Sequence, residues 1–343
     1  MLNQSVGLTD LLSKSLAENR SMNIQAKLPT SMHQMLSCPV CRSQVILNQE
    51  QIDCTNPSCK MQFPIVDGIP VLINESSSIF SFSDFLSQKD TTFTFQSQSK
   101  LKKFLTNRLP DINANMKGKR NYNKFLELVK KQNERPKILV LGGGIVGDGM
   151  EEILSNPSVE LVSSDVSFGP CTALICDAHD IPFEDNSFDG VIAQAVLEHV
   201  LDPNRCVEEI HRVLKENGVV YAETPFMQQV HMGRYDFTRF THLGHRRLFR
   251  KFEEVSSGPT CGPGMALAWS YQYFLLSFVK SSAAKNIVKA FTRLTSFWLK
   301  YFDYFLIDKP GTFDAASGYY FIGTKSDRVL GDRELIKLYR GIQ

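Results

Sequence analysis

The run Lys137-Ile-Leu-Val-Leu141 passes directly into Gly142-Gly143-Gly144, and this junction restricts the fold more than any other stretch of the chain. Consecutive apolar residues bury both faces of a strand, as the centre of a parallel sheet requires, and glycines at its end let the chain turn sharply into a helix. The pattern then repeats. Residues 151–154 continue a helix, 159–163 form a second strand ending at Asp165, 173–175 a third and 188–193 a fourth. An amphipathic helix over 203–215 buries Val207, Ile210, Val213 and Leu214 and is closed by Gly218. A fifth strand covers 219–223, a sixth 252–255 and a late one 318–324. Strands and helices in this alternation predict an α/β fold, a Rossmann-like doubly wound sheet with helices on both faces.

The chain has 343 residues, which leaves room for a second, smaller module. Cys38-Pro-Val-Cys41 is followed, after twelve residues, by Cys54-Thr-Asn-Pro-Ser-Cys59. Two close cysteine pairs at this separation wrap four thiolates around Zn²⁺, and the metal supplies folding energy that so short a segment lacks. Four thiolates fill the coordination shell, so the ion is expected to be structural. Residues 1–33 contain no apolar signal segment, so a reducing, cytoplasmic setting is expected, in which such a cluster reads as metal ligation rather than disulfides. Cys171, Cys176, Cys206 and Cys261 are scattered and read as buried small residues. The organisation expected is a flexible leader over 1–33 with one short helix near Leu11, a zinc ribbon over 34–75, a linker over 76–99, the α/β domain over 100–330 and a C-terminal helix over 331–343. The α/β domain opens with a helical stretch broken near Pro110.

A glycine-rich loop alone suits a dinucleotide as well as any other cofactor. The residues downstream of it are more specific. Asp165 closes the second strand, where an acid can accept hydrogen bonds from a ribose diol. Cys176-Asp177-Ala178-His179-Asp180-Ile181-Pro182-Phe183 leads to Phe188-Asp189, then to Leu197-Glu198-His199-Val200 and to Leu214-Lys-Glu-Asn-Gly-Val-Val-Tyr221. This ordered series, over about 136–257, closely resembles the class I S-adenosylmethionine (SAM)-dependent methyltransferases, in particular the methyltransferase 11-like group. The resemblance implies that Gly142 and Gly144 line the methionine part of SAM, that Asp165 holds the ribose, that Asp177 and the Ala178 backbone hold the adenine, and that Gln194 begins the segment facing the methionine part and the acceptor. The chain departs from that group at Val140, where an acid is usual, and in the placing of Gly147 and Gly149. The cysteine segment, ending Pro64-Ile-Val-Asp-Gly-Ile-Pro-Val-Leu-Ile73, resembles the Trm112-like zinc module, found alone or fused to methyltransferases.

Methyl transfer requires alignment and, for a hydroxyl acceptor, removal of a proton. His199, just after the fourth strand, is a candidate base or a loop-positioning residue, and His231 is a second candidate base. The segment from Thr224 to His242 loosely resembles methyltransferases encoded with bacterial surface-glycan genes. It offers Tyr235, Asp236 and Arg239 as acceptor contacts, although Asp236 and Arg239 also suit a structural ion pair. The basic run His245–Lys251 reads as a solvated face or as a contact for anionic lipid or a phosphate-bearing substrate.

Between the last strands, 262–310 is rich in Phe, Tyr, Trp and Leu and is expected to form a helical hairpin insertion. Neither half is a clean apolar span of about 20 residues, so the hairpin is expected either to lie at a membrane surface or to cap the site or a second subunit. The resulting expectation is a SAM-dependent methyltransferase acting on a hydroxyl of a glycan or of a lipid-linked small molecule. The rivals are an RNA or protein methyltransferase that uses the ribbon for recognition, and a non-catalytic scaffold of the same fold. A net charge of +2 argues against nucleic acid. A nicotinamide-dependent oxidoreductase has no place for the 176–203 series.

Overall fold

The computed structural model describes residues 27–87, 92, 108–147 and 149–342. Eleven strands form one sheet: β1 (Val45–Leu47), β2 (Gln51–Cys54), β3 (Gln62–Val66), β4 (Ile69–Leu72), β5 (Lys137–Leu141), β6 (Glu160–Asp165), β7 (Leu174–Cys176), β8 (Phe188–Gln194), β9 (Leu214–Pro225), β10 (Phe252–Cys261) and β11 (Gly318–Lys325). Their spatial order is β1-β2-β3-β4-β7-β6-β5-β8-β9-β11-β10. The stretch from β7 to β9 is parallel, and β11 inserts antiparallel between β9 and β10. This is the Rossmann-like methyltransferase arrangement. The alternation within β5 sends Ile138 and Val140 to one core, with Tyr122, Phe125 and Val129 of the Gly118–Gln132 helix. Leu139 and Leu141 go to the other, with Cys206, Val207 and Ile210 of the Pro203–Val213 helix. Both faces are therefore covered, which is why β5 reads as an unbroken apolar run.

The four-cysteine segment is joined to this sheet rather than tethered beside it. β3 and β4 form a hairpin whose turn residues, Asp67 and Gly68, both have positive φ. β4 then pairs in parallel with β7, Val71 opposite Ile175 and Leu72 opposite Cys176. Two expected boundaries shift as a result. Residues 27–33 are not a free leader: Leu28 and Met32 are buried in the shared core, and Lys27 N–H donates to the Gly68 carbonyl. Residues 76–87 are not a linker: a short helix, Phe82–Leu86, buries Phe82 and Phe85 in the same core. The expected helix near Leu11 and the first part of the stretch opening at Lys100 lie outside the described residues.

Other boundaries moved for local reasons. The helix before β9 stops at Val213, and the left-handed residue behind it is Asn217 (φ 63°), not Gly218. β10 continues through Ser-Ser-Gly-Pro to Cys261, beyond the expected 252–255; it is an edge strand with two bulges, where proline is tolerated. The hairpin consists of Pro263–Leu276 and Ser282–Ser296, followed by 3-10 and short helical turns to Leu306. Its first helix has no side-chain cap of its own; the buried carboxylate of Asp303 instead accepts from Gly264 and Met265 N–H, at 2.7 and 3.0 Å. The tail holds only a single helical turn, Asp332–Leu335, and a 3-10 turn. No described helix is long and apolar enough to cross a membrane.

Candidate cofactor and acceptor site

A cavity of about 510 Å³ opens at the carboxyl ends of β5, β6, β8 and β9, where open α/β sheets bind ligands. Gly142 floors it with φ 66°, and a Cβ there would lie 2.4 Å from Val196 Cγ2, so the turn after β5 needs glycine. Asp165, at the end of β6, is nearly buried and faces the cavity. Its Oδ2 accepts from Gly144 N–H and its Oδ1 from Ser167 N–H, both at 2.9 Å, which fixes the carboxyl group across the loop. Burial pushes its pKa up to about 6 against these bonds. Gly144 thus acts through its N–H and does not itself line the cavity.

Asp177 and Ala178 line the next stretch of wall, beside His179. Asp177 Oδ1 accepts from His179 Nδ1 and N, and Oδ2 from the Ser78 hydroxyl at 2.6 Å. Burial opposes its charge, but these donors hold its pKa below the usual carboxylate value. His179 Nε2 accepts the Asp202 N–H, which leaves Nδ1 facing Asp177. Ser77, Ser78, Ile79 and Phe80 form a strap running from the cysteine segment over this end; Ser77 also donates to Asp180.

Beyond β8 and β9 the cavity becomes acidic. Gln194 donates to Glu223 Oε2 at 2.8 Å and accepts from Tyr122 at 2.7 Å. Glu223 also accepts from Tyr221, Thr260 and Asn115. Sequence reasoning passed over this carboxylate, although its position at the end of a central strand was a signal. Val140, by contrast, packs in the core. An acid therefore faces this end of the cavity, supplied by β9 rather than by β5.

Glu198, His199 and His231 converge at the far end. His199 Nδ1 donates to the Tyr235 carbonyl at 2.8 Å, which leaves Nε2 bare, 3.7 Å from Glu198 Oε1. Burial, then the neighbouring His231, lowers the His199 pKa to about 4. His231 stands edge-on to His199, with centroids 5.0 Å apart, and Trp269 of the hairpin flanks it at 6.0 Å. Glu198 is fully buried, neither of its carboxyl oxygens has a hydrogen-bond partner among the described residues, and burial pushes its pKa up to about 8.

Tyr235, Asp236 and Arg239 do not line the cavity. Asp236 and Arg239 engage each other through both oxygens and two guanidinium nitrogens, and Arg239 also donates to the Gln228 and Gln229 carbonyls. Burial opposes the Asp236 charge, but Arg239 and the His231 N–H hold its pKa at about 2. The pair pins the loop that carries His231. Tyr235 packs its ring on Phe80 of the strap and contributes its carbonyl. The basic run is also internal in part: Arg246 is buried, paired with Glu254 at 2.9 Å and set over Phe321, while Arg247 and Arg250 both approach Asp332.

The four expected zinc ligands do meet. Their sulfurs lie within 4.8 Å of one another, with Cys41–Cys54 at 3.4 Å and Cys38–Cys59 at 3.9 Å. A tetrahedral ion with bonds of about 2.3 Å places its thiolates about 3.8 Å apart, close to the two separations of 3.4 and 3.9 Å, so the donor set suits zinc.

The sheet order and the cavity at its carboxyl edge define a class I methyltransferase fold. Residues 151–222 match the family described as "Methyltransferase domain", so the chain carries that domain. The Ubiquinone/menaquinone biosynthesis C-methyltransferase UbiE of Rickettsia prowazekii is 32% identical over 93 residues, 27% of this chain and 36% of that protein. The chain thus spans about a third of that relative's length. A UPF0434 protein of Alteromonas mediterranea is 33% identical over 51 residues, 15% of this chain and 80% of that protein, and the chain belongs to that family over this stretch. Among solved structures, phosphoethanolamine N-methyltransferase 2 of Haemonchus contortus aligns with a TM-score of 0.38 and 19% identity over 60% of this chain and 53% of that one.

Proposed function

We propose that this chain is a SAM-dependent methyltransferase whose acceptor is a small or lipid-linked molecule bearing a hydroxyl, as in a glycan, and that its four cysteines hold a structural zinc ion. One observation carries the reading: a single cavity of about 510 Å³ is lined both by Asp165 and by the Glu198–His199–His231 cluster. When bound, SAM supplies an electrophilic methyl group on a sulfonium. The protein's part is to hold and align. Asp165 accepts from the ribose hydroxyls, Asp177 and the Ala178 backbone border the adenine, and Gln194 with Glu223 faces the charged methionine end. The acceptor oxygen would lie toward the polar cluster. Excluding water and fixing the two reactants in line supplies most of the acceleration in such a transfer.

The hairpin favours a lipid-linked acceptor. Trp269 borders His231, and Tyr273 donates to the Val230 carbonyl at 2.8 Å, so the first hairpin helix is fastened beside the acceptor end. The same hairpin leaves Phe274, Phe278, Ile287, Tyr304 and Phe305 each more than 60% exposed, with Lys280, Lys285 and Lys289 at the surface among them. Aromatic side chains edged by lysine suit the interface of a membrane. By its name, the Rickettsia relative is a C-methyltransferase of ubiquinone and menaquinone biosynthesis, which supports a small-molecule acceptor, although that relative methylates carbon rather than oxygen. A cytoplasmic protein resting on the inner face of a membrane is the corresponding location. Calorimetric titration of the full-length, zinc-loaded protein with S-adenosylhomocysteine tests the reading. Asp165→Ala should weaken binding by about 100-fold, as expected when hydrogen bonds to a charged group are lost. A folded wild type that binds neither SAM nor its product would leave a scaffold of methyltransferase shape.

A further inference from the structure

We propose that Glu198, His199 and His231 form a second metal site, for a divalent first-row cation, at the acceptor end of the cavity. The three side chains come from two segments, the turn after β8 and the loop after β9, and one ligand atom from each lies within 4.8 Å of the others. The strongest observation is Glu198. A fully buried carboxyl group with no hydrogen-bond partner on either oxygen is costly to leave uncompensated. The nearest guanidinium, Arg239, is already engaged by Asp236 and two carbonyls, which leaves a proton or a bound cation to compensate Glu198.

Both imidazoles are set up as ligands rather than as hydrogen-bond fillers. His199 Nδ1–H donates to the Tyr235 carbonyl, and His231 Nδ1 lies 3.2 Å from the Gln229 carbonyl and 3.5 Å from Asp236 Oδ2. A metal-binding histidine characteristically gives its second ring nitrogen to a carbonyl or a carboxylate, which fixes the tautomer and the ring plane. In each ring Nε2 is the nitrogen left for the metal. Asp236 and Arg239 then acquire a purpose beyond bracing the loop, because they hold the carboxylate behind His231.

Two imidazoles and one carboxylate suit zinc, manganese, iron or cobalt rather than magnesium or calcium, which prefer all-oxygen shells. Bonds of about 2.0–2.2 Å would draw the three ligands closer by roughly 1 Å, within reach of side-chain rotation on the His231 loop. Three protein ligands leave positions open. On the methyltransferase reading, and only on it, an acceptor with adjacent hydroxyls would complete the shell, lose one proton to solvent as the cation lowers its pKa, and present that oxygen to the methyl group as the bond from methyl to sulfur breaks. The binding of metal itself does not depend on that reading.

The test uses the full-length protein with zinc already in the four-cysteine site. Zn²⁺ titrated calorimetrically should occupy one further equivalent per chain, and elemental analysis should count two. Co²⁺ offered to the same protein should give a spectrum without thiolate charge-transfer bands, which marks nitrogen and oxygen ligation. His231→Ala, at an accessible loop position, and Glu198→Gln should each weaken the second equivalent by at least about 100-fold and leave the first in place. Should Glu198→Gln fail to fold, His231→Ala decides alone. No further equivalent in the wild type, or undiminished binding in the variants, would overturn the proposal. S-adenosylhomocysteine affinity measured on the same samples separates the two ideas: cofactor bound without a second metal sinks only the metal site, and a second metal without cofactor sinks only the methyltransferase reading.

Discussion

The cysteine ribbon and the aromatic hairpin are both additions to the same sheet, and they are attached in opposite ways. The ribbon enters through the backbone: β4 continues the sheet beyond β7, and its apolar residues share one core with the Pro203–Val213 helix. The hairpin hangs between two strands of the far edge and holds itself together by the Asp303 cap and the buried Gln272–Thr292 bond, with much of its apolar surface outward. Each reaches the cavity at a different end. The strap behind the ribbon touches the cofactor end through Ser78 and Asp177, and the hairpin touches the acceptor end through Trp269 and His231. One addition is therefore part of the folding unit and the other is a surface. Each is expected to govern a separate property of the protein.

Metal removal should separate them most clearly. A structural zinc supplies about 10–16 kcal/mol in small modules, as much as a whole domain's typical stability of about 5–15 kcal/mol. Stripping zinc with a strong chelator, or Cys54→Ser, should therefore abolish the single cooperative melt of the whole chain; an α/β domain that melts unchanged would show the ribbon to be independent after all. A smaller effect is expected at the strap. Ser78→Ala removes a donor from Asp177 and should weaken S-adenosylhomocysteine by about fivefold to tenfold, whereas Trp269→Ala should raise the acceptor KM and leave that affinity alone. If both substitutions shift both quantities, the division of the cavity fails. Titration of Asp165 probes the cofactor end further. Its carboxyl ionises at about 6, above the usual value, and on the proposed reading the ionised form is the one that accepts from the ribose hydroxyls. Cofactor affinity should hold steady above that pH and decline as the pH falls through it, and in Asp165→Asn it should be weak and flat. The smallest change in stability should come from the hairpin surface. Replacing Phe274, Phe278 and Phe305 by serine should cost no more than about 0.5 kcal/mol each in thermal denaturation. The same protein should lose its sedimentation with vesicles of phosphatidylglycerol and phosphatidylcholine.

The cofactor half was legible because it is built from strand ends. An apolar run, a glycine and an acid in sequence are enough to locate Gly142 and Asp165, and the position of Asp177 comes from its place after β7. The acceptor half was read less well because loops bring it together. Asp236 and Arg239 had the charge and spacing of acceptor contacts, yet the decisive fact, that they face each other, depends on how the loop after β9 folds back over Glu198. Glu198 itself was visible beside His199, but its isolation from every described donor is a tertiary property. β10 was cut short because Ser-Ser-Gly-Pro reads as a turn, and only its place at the sheet edge allows it to stay extended. The ribbon's cysteines were plain in the sequence. That β4 would pair with a strand about a hundred residues later was not, since nothing local in Ile69–Leu72 specifies a partner.

That pairing bears on how the chain avoids sticking to its neighbours during synthesis. β7 is only three residues long and wholly buried, and without β4 its outer side would be an open row of backbone donors and acceptors, a template for another molecule. The ribbon precedes β7 in the chain, so β3 and β4 leave the ribosome before the strand they cover. The vulnerable edge is covered by β4 in the folded chain. The cost is a long loop to close, which slows folding. A ribbon deprived of zinc during expression should therefore yield aggregates joined edge to edge, rather than a soluble domain lacking an appendage.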